Sequence, residues 1–286
     1  MKKKFLIIFL PIISLIIIIS LGFYFHYENT TLKVTNYEVA SKKTPTDFND
    51  YKIMQISDFH NTRNKKLTNS IINEIKEQKP DIIVLTGDTI DPKMSHMEAS
   101  FDFIKIIKDY APIYYITGNH ESHLKSYAET KKELIELGVI VLDNEKRTIE
   151  KNESKINILG IADPYMVNGK VNKKKGEVII KSELDSMEYN DNEFNILLSH
   201  RPESFKIYTD YKMDLVFTGH AHGGQIRLPF IGGLYAPHQG LFPKYTSGTF
   251  KKDNTTMVVS RGIGGSKFPF RINNRPELVI VTLKSE

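Results

Sequence analysis

Apolar residues in the first half of the chain follow two alternating periodicities. Short runs rich in Ile, Val, Leu and Tyr predict buried strands at 52–56, 81–85 and 113–116. Apolar residues at helical spacing predict helices at 67–78, 97–110 and 124–137, the last ending at Gly138. Because strands and helices alternate, we expect right-handed crossovers and a mainly parallel segment of sheet.

The second half is richer in predicted strands. Candidates lie at 139–142, 148–150, 156–161, 194–198, 215–217, 258–259 and 278–283, and an earlier one lies at 31–39. A helix is predicted after Arg201-Pro202, and the stretch 225–250, rich in Gly, Pro and aromatics, predicts hairpins and loops. The lysines at 173–175 are expected in an exposed loop. The pattern favours an α/β fold of two stacked mixed sheets flanked by helices, in one domain.

The amino-terminal segment differs in composition from the rest of the chain. Three lysines precede an uncharged run, 5–25, which is long enough to cross a hydrocarbon core of about 30 Å at about 1.5 Å per helical residue. A cleaved signal peptide usually has a shorter apolar region, and Ser20-Leu21-Gly22 resembles a cleavage site only weakly. We therefore predict an uncleaved, single-pass anchor rather than a signal peptide or a buried helix. The lysines predict a cytoplasmic amino terminus, with the remainder of the protein extracytoplasmic at the cell membrane.

Composition limits the chemistry. With 286 residues, 40% of them hydrophobic, the chain can bury a substantial core, which excludes disorder of the whole. Cysteine is absent, so disulfides, thiolate metal ligands and cysteine nucleophiles are excluded, and any metal must be held by nitrogen and oxygen. The net charge of +5 favours anionic partners such as phosphate esters or acidic lipids. The charges are dispersed, however, and no nucleic-acid partner is predicted.

Polar motifs follow the apolar runs. They are Ser57-Asp58-Phe59-His60, Gly87-Asp88, Gly118-Asn119-His120-Glu121, Ser199-His200 and Gly219-His220-Ala221-His222. Ligands of open α/β sheets bind at the carboxyl ends of strands, where such motifs would meet. A carboxylate and an imidazole on one loop, as at Asp58 and His60, suit manganese, iron or zinc. Asp88 is placed to bridge two ions, and the neutral amide of Asn119 suits a dinuclear site.

Each motif alone has an ordinary explanation. Asp58 could cap a helix, Asp88 could be a turn acid, and Gly118-Asn119 is a common turn dipeptide. His200 could be a partly buried histidine with its hydrogen bonds satisfied. Co-occurrence decides the question, since five of the nine histidines fall in this ordered set.

The order of these motifs resembles that of the calcineurin-like metallophosphoesterase family. It is most similar to a membrane-anchored bacterial branch whose last motif continues into Gly-Gly-Gln, here 223–225. The resemblance covers about 51–286 and implies a catalytic domain folded as a four-layer α/β sandwich, after a linker and first strand at 26–50 and the anchor at 1–25. It also implies two divalent ions bridged by a carboxylate. Carried over, one ion would be held by Asp58, His60, Asp88 and His222, and the other by Asp88, Asn119, His200 and His220.

The resemblance further implies a reaction. A metal-bridging hydroxide would attack a phosphomonoester, phosphodiester or pyrophosphate. His120 would face the leaving group and protonate it, steered by a nearby acid such as Asp91. The alternative hypothesis is a non-catalytic, membrane-tethered metal-binding scaffold with the same fold. A third hypothesis is a dinuclear amide hydrolase.

Softer features concern the substrate. Arg261-Gly262-Ile263-Gly264-Gly265 lacks the spacing of a phosphate loop and is expected to shape the rim of the site. Lys267, Arg271 and Arg275 could meet an anionic head group near the bilayer, or could simply form a solvated basic face. With the anchor, they suggest a lipid-linked or cell-envelope phosphate ester. His238, His123 and His96 are expected at the surface or behind the ligands.

Overall fold

A computed structural model describes residues 2–93, 95–265, 268 and 270–286. The helices are α1 (Lys2–Thr30), α2 (Lys65–Gln78), α3 (Glu98–Ile107), α4 (Tyr127–Glu136), α5 (Tyr165–Asn168), α6 (Lys173–Asp185) and α7 (Phe205–Asp210). The strands up to the middle of the chain are β1 (Lys33–Ser41), β2 (Lys52–Ile56), β3 (Ile82–Thr86), β4 (Ile113–Ile116), β5 (Ile140–Val141), β6 (Glu145–Lys151) and β7 (Ser154–Gly160). They are followed by β8 (Asn195–Leu198), β9 (Leu215–Thr218), β10 (Arg227–Leu228), β11 (Gly232–Gly233), β12 (Tyr235–Ala236), β13 (Gly240–Leu241), β14 (Gly248–Lys252), β15 (Thr255–Val259) and β16 (Glu277–Ser285).

Two mixed sheets form the centre. Among the described residues, each has six strands, in the orders β1-β16-β2-β3-β4-β5 and β14-β15-β9-β8-β7-β6. Strands β2 to β5 run parallel, as do β7, β8, β9 and β15. The carboxyl ends of the central strands of each sheet are therefore on one edge, and both edges carry predicted motifs.

Alternation along the strands separates the layers. Ile53 packs between the two sheets with Val84 and Phe217, whereas its neighbour Met54 packs outward beneath α2 and α3. On the other side, α6 and α7 cover the second sheet, with Ile180 buried there. The predicted four-layer sandwich of two mixed sheets flanked by helices is confirmed.

The amino-terminal helix continues five residues beyond the predicted apolar run, to Thr30. Its segment Phe9–Thr30 has a mean hydropathy of 2.1, and its apolar window is not buried against the rest of the described chain. By length and composition this helix is a candidate membrane span.

The lysines at 173–175 are exposed, as predicted, but the prediction that they lie in a loop is wrong. They form the first turn of α6, where the side chain of Asn172 caps the helix by accepting from the Lys175 backbone N–H. Gly176, Ile180 and Leu184 are buried at intervals of four residues. One sparse apolar stripe on a polar helix leaves a weak periodic signal, which explains the missed element.

Candidate metal centre

The predicted ligands lie at the ends of adjacent strands. Asp58 follows β2 by two residues, Asp88 follows β3 by two, and Asn119 follows β4 by three; His200 and His220 each come two residues after β8 and β9. One group brings donor atoms within 4.8 Å of one another and comprises Asp58, His60, Asp88 and His222. A second, at the same separation, comprises Asp88, His200 and His220. Asp88 belongs to both groups.

The backbone here is strained. Asp58, His60, Asp88, His220 and His222 have positive φ values of 50°, 45°, 50°, 65° and 45°. Non-glycine residues in this region cost about 1–3 kcal/mol each and persist where the surroundings hold them. The Asp58 carboxylate accepts from the His220 backbone N–H at 3.1 Å, which ties two of these turns together.

The Asp88 carboxylate lies between the two groups. Its Oδ2 is 3.2 Å from Nε2 of His200 and 3.7 Å from Nε2 of His60, and its Oδ1 accepts from the His120 backbone N–H at 2.8 Å. Burial alone would raise the pKa of Asp88, but the histidines, His200 foremost, hold it well below its usual range. Gly118 is needed beside it, since a Cβ there would lie 2.3 Å from Oδ1 of Asp88. The site is therefore built around an ionised carboxylate that both groups share.

Several buried polar atoms in this cluster lack an aligned hydrogen bond within the described part of the chain. Nδ1 of His200 contacts the Thr86 carbonyl at 2.8 Å, and its buried Nε2 makes no aligned hydrogen bond among the described residues. Burial lowers the pKa of His200, but Asp88 outweighs it and raises the pKa to about 10, so Nε2 would become an acceptor where a cation displaces its proton. Oδ1 of Asn119 is buried without a donor among the described residues. Nε2 of His60 and Nε2 of His222 face each other at 3.2 Å. Convergent oxygen and imidazole nitrogen atoms of this kind fit divalent cations.

His120 lies on the open side of the cluster. Its side chain is 25% exposed, and its Nδ1 forms an ion pair with Oδ2 of Asp91 at 2.7 Å, without the alignment of a hydrogen bond. The same Asp91 oxygen lies 3.0 Å from Nδ1 of His60. Burial lowers the pKa of His120, but Asp91 and Asp88 outweigh it and raise the pKa above its ordinary value. Asp91 thus lies where an acid that steers His120 is expected.

Comparison with known proteins identifies the family. Residues 51–224 match the model of the calcineurin-like phosphoesterase family. The chain belongs to the calcineurin-like phosphoesterase family. It is a metal-dependent phosphoric ester hydrolase, and its family depends on two metal ions.

The alignments with relatives cover most of the chain. It is 32% identical over 269 residues to the uncharacterized metallophosphoesterase YkuE of Bacillus subtilis, covering 92% of this chain and 90% of that protein. It is 29% identical over 245 residues to the phosphodiesterase YaeI of Escherichia coli, covering 82% of each. It is 26% identical over 262 residues to a transmembrane protein with metallophosphoesterase domain of Danio rerio, covering 88% of this chain and 57% of that protein.

Glu121 supports the Asp88 loop of the phosphoesterase. Its buried carboxylate accepts from Tyr115 Oη and from four backbone N–H groups, those of Asp88, Thr89, Ile90 and Gly118, at 2.8–3.1 Å. Burial and the nearby Asp88 raise the pKa of Glu121, while the backbone N–H groups of Ile90 and Gly118 lower it, and all five partners donate hydrogen bonds to the carboxylate. The sequence places Glu121 in the Gly-Asn-His-Glu motif, and that position is the signal that could have identified its role.

A buried ion pair lies behind His220. Arg201 donates to both oxygens of Asp163, stacks on the Tyr165 ring at 4.6 Å, and its Nη1 lies 3.0 Å from Nε2 of His220. Nδ1 of His238 lies 3.2 Å from the same His220 nitrogen. Asp163 and Arg201 were not predicted, since they are 38 positions apart and in no shared motif. His238 is behind a ligand, one of the two places expected for it.

The loops after β15 pack behind the ligands. A Cβ at Gly262 would lie 2.7 Å from Cβ of Asp58, so the glycine-rich segment presses on the first motif. The side chain of Asn274 donates to the His222 carbonyl at 2.8 Å and to that of Gln225 at 3.0 Å. Nothing in the sequence pattern signals this contact of Asn274.

The prediction for Arg271 is wrong. Its guanidinium is buried and donates to the carbonyls of Arg261, Gly262, Gly264 and Asn274, so it is neither a head-group ligand nor a solvated charge. It crosslinks the loop behind the metal centre because five donors can satisfy several carbonyls at once. Lys267 lies outside the described residues. Arg275 stacks on Tyr27 of α1, with 5.2 Å between the guanidinium carbon and the ring.

Proposed function

We propose that this phosphoesterase is a membrane-anchored hydrolase of phosphomonoesters, phosphodiesters or pyrophosphates, with phosphodiesters the favoured class. The observation that carries the proposal is His120, paired with Asp91 on the open side of the cluster. An imidazolium there can protonate a poor leaving group, such as the alkoxide of a phosphodiester. Its relative YaeI is a phosphodiesterase, which agrees with this choice.

Each of the two ligand sets would hold one divalent ion. Asp58, His60, Asp88 and His222 would hold one ion, and Asp88, Asn119, His200 and His220 would hold the other. When bound, two divalent ions activate water and neutralise charge on the phosphoryl oxygens. Within this chain, Thr86 O orients His200, and Glu121 holds the Asp88 loop.

His120 acts as the proton donor to the leaving group. The carboxylate of Asp91 stabilises the imidazolium through Nδ1, and Nε2, which lies 3.9 Å from Oδ2 of Asp88, would give its proton to the departing oxygen. Since Asp91 also contacts the ligand His60, it holds the acid at a set distance from the ions. This arrangement supports turnover rather than passive metal binding, the scaffold alternative.

The location is part of the proposal. α1 would anchor the protein, residues 26–50 would link it to the catalytic domain at 51–286, and that domain would lie outside the cytoplasm, as the three lysines favour. A relative from Danio rerio is a transmembrane protein. A labelling experiment tests the topology, since the chain has no cysteine. Val178→Cys, exposed on α6, should react with an impermeant maleimide in right-side-out vesicles, whereas Lys3→Cys should react only after lysis. The reverse pattern would refute the topology.

The activity is tested on the full chain in mild detergent with added manganese. We expect hydrolysis of p-nitrophenyl phosphate and of its bis-ester, with metal content measured by mass spectrometry. Asp88→Ala should lose both metal and turnover, while Asp109→Ala, an exposed carboxylate on the surface, should keep both. Full turnover in Asp88→Ala would refute the assigned roles.

A further inference from the structure

Two hairpins beside the metal centre expose large apolar side chains. Phe230 at the turn between β10 and β11 is fully exposed, and Ile231 is more than half exposed. Leu241 and Phe242, at the end of the β12–β13 hairpin, are also more than half exposed. Contiguous apolar surface of this kind is uncommon on soluble proteins and marks a partner or a membrane.

The hairpins join a third apolar segment. The Phe242 backbone N–H donates to Leu234 O, which links the two hairpins, and the Arg227 backbone N–H donates to Ile272 O at 2.9 Å. The segment before Ile272 exposes Phe268 and Phe270, whose rings lie 6.3 Å apart. We name this surface the apolar rim; it comprises Phe230, Ile231, Leu241, Phe242, Phe268 and Phe270.

The apolar rim is continuous with the end of α1. The rings of Phe25 and Phe270 lie 5.0 Å apart, and Tyr24 Oη lies 3.1 Å from Oδ1 of Asn273. α1 is the candidate membrane span, and its last turns must lie where that span leaves the hydrocarbon core. Phe and Leu side chains are typical of the apolar faces that bury at the boundary between head groups and acyl chains. This continuity favours the bilayer as the partner over another protein.

The same loops reach the metal centre. The Asn274 backbone N–H donates to Oε2 of Glu28 in α1 at 2.7 Å, while its side chain donates to the carbonyl of His222. One residue therefore connects the anchor to a candidate ligand. Lys244, exposed near the second hairpin with its ammonium 5.1 Å from the centre of the Tyr245 ring, adds a cation that suits acidic head groups.

We propose that the apolar rim inserts into the interface of the bilayer that α1 spans. The metal centre then faces the head-group layer, and its substrate is a phosphate ester carried by a lipid. This last step rests on the proposed activity, whereas the insertion rests only on the proposed anchoring by α1.

Insertion is tested with a single tryptophan, because the chain has none. Phe230→Trp is prepared in the full chain and reconstituted into phosphatidylcholine vesicles with or without brominated lipid. We expect blue-shifted emission and at least twofold quenching by brominated lipid. The matched control is Ile135→Trp, exposed on α4 beside β5, at the sheet edge opposite β1. It should stay unquenched.

Two results would overturn insertion. One is water-like, unquenched emission from Phe230→Trp. The other is blue-shifted emission that brominated lipid does not quench, which would place the apolar rim against protein, such as a second copy of this chain. Neither readout needs enzymatic turnover, so a failure of the proposed activity would leave this test intact.

Lipid delivery is tested with Phe230→Glu combined with Phe242→Glu. We expect at least a tenfold fall in hydrolysis of a phospholipid phosphodiester in vesicles, with hydrolysis of the soluble bis-p-nitrophenyl ester unchanged. Unchanged hydrolysis of both substrates, or an equal fall in both, would refute delivery through the apolar rim. Absence of any phosphoesterase activity in the unsubstituted chain would instead refute the proposed function.

Discussion

Oδ2 of Asp91 lies 2.7 Å from Nδ1 of His120. The carboxylate therefore stabilises the imidazolium, and together with Asp88 it raises the pKa of His120 despite burial. A raised pKa keeps a general acid protonated to higher pH, so turnover should fall only as the pH rises through that raised value.

Asp91→Asn should move this alkaline limb to lower pH. Removing the negative charge lowers the pKa of His120, so the acid is lost earlier as the pH rises. The measurement is kcat against pH for a phosphodiester with an alkoxide leaving group. Asp102→Asn, an exposed carboxylate on α3, is the control and should leave the profile unchanged. An unshifted limb in Asp91→Asn would refute the coupling.

His120→Ala should separate proton transfer from metal binding. Loss of a general acid costs about 10²–10⁴ in rate, while the metal content should be retained because the side chain is not in either ligand set. His123→Ala is the matched control, since that exposed histidine lies 6.4 Å away between ring centres. Metal analysis and kcat on the same preparations give both readouts. Loss of metal from His120→Ala would contradict its assignment as the acid.

Glu121→Gln should destabilise the fold. The amide would place N–H groups against some of the backbone donors that the carboxylate now satisfies, which costs about 1–3 kcal/mol. Urea unfolding of the full chain in mild detergent measures the change. Glu136→Gln, on the exposed face of α4, should lie within about 0.5 kcal/mol of the unsubstituted chain. Equal stability of the two variants would show that the Glu121 contacts contribute little.

His238→Ala should weaken binding of one ion. Nδ1 of His238 lies 3.2 Å from Nε2 of His220, and Nη1 of Arg201 contacts both nitrogens, so removal of His238 should loosen the contacts that hold the His220 ring. Loss of such a supporting contact typically costs about 10–100-fold in metal affinity. Metal titration followed by calorimetry should show one weakened site and one unchanged site. His96→Ala, an exposed histidine, provides the control; two sites of unchanged affinity in His238→Ala would refute the role.

The local pattern was sufficient to predict β2, β3, β4, β8 and β9. Short apolar runs determine buried strands, and a polar residue directly after such a run must lie at the strand end, where Asp58, Asp88 and His220 are found. Even so, the recognition of a metal centre depended on the joint order of the motifs, since each one alone fits an ordinary turn.

The tertiary structure decided what no local pattern encodes. Several contacts join residues from distant parts of the chain. Arg201 pairs with Asp163, and Arg271 is buried among backbone carbonyls. Asn274 is hydrogen-bonded to both Glu28 and His222. In the sequence alone, Arg201, Asp163 and Arg271 would be expected at the surface. Burial of an arginine depends on carbonyls and carboxylates that other elements supply, and these are not visible in the local sequence. By itself the sequence determined where the strands end and which ligand types follow them. Stacking of the two sheets decided which of those side chains contact one another and which residues support them. Such contacts form only after distant strand ends are brought together.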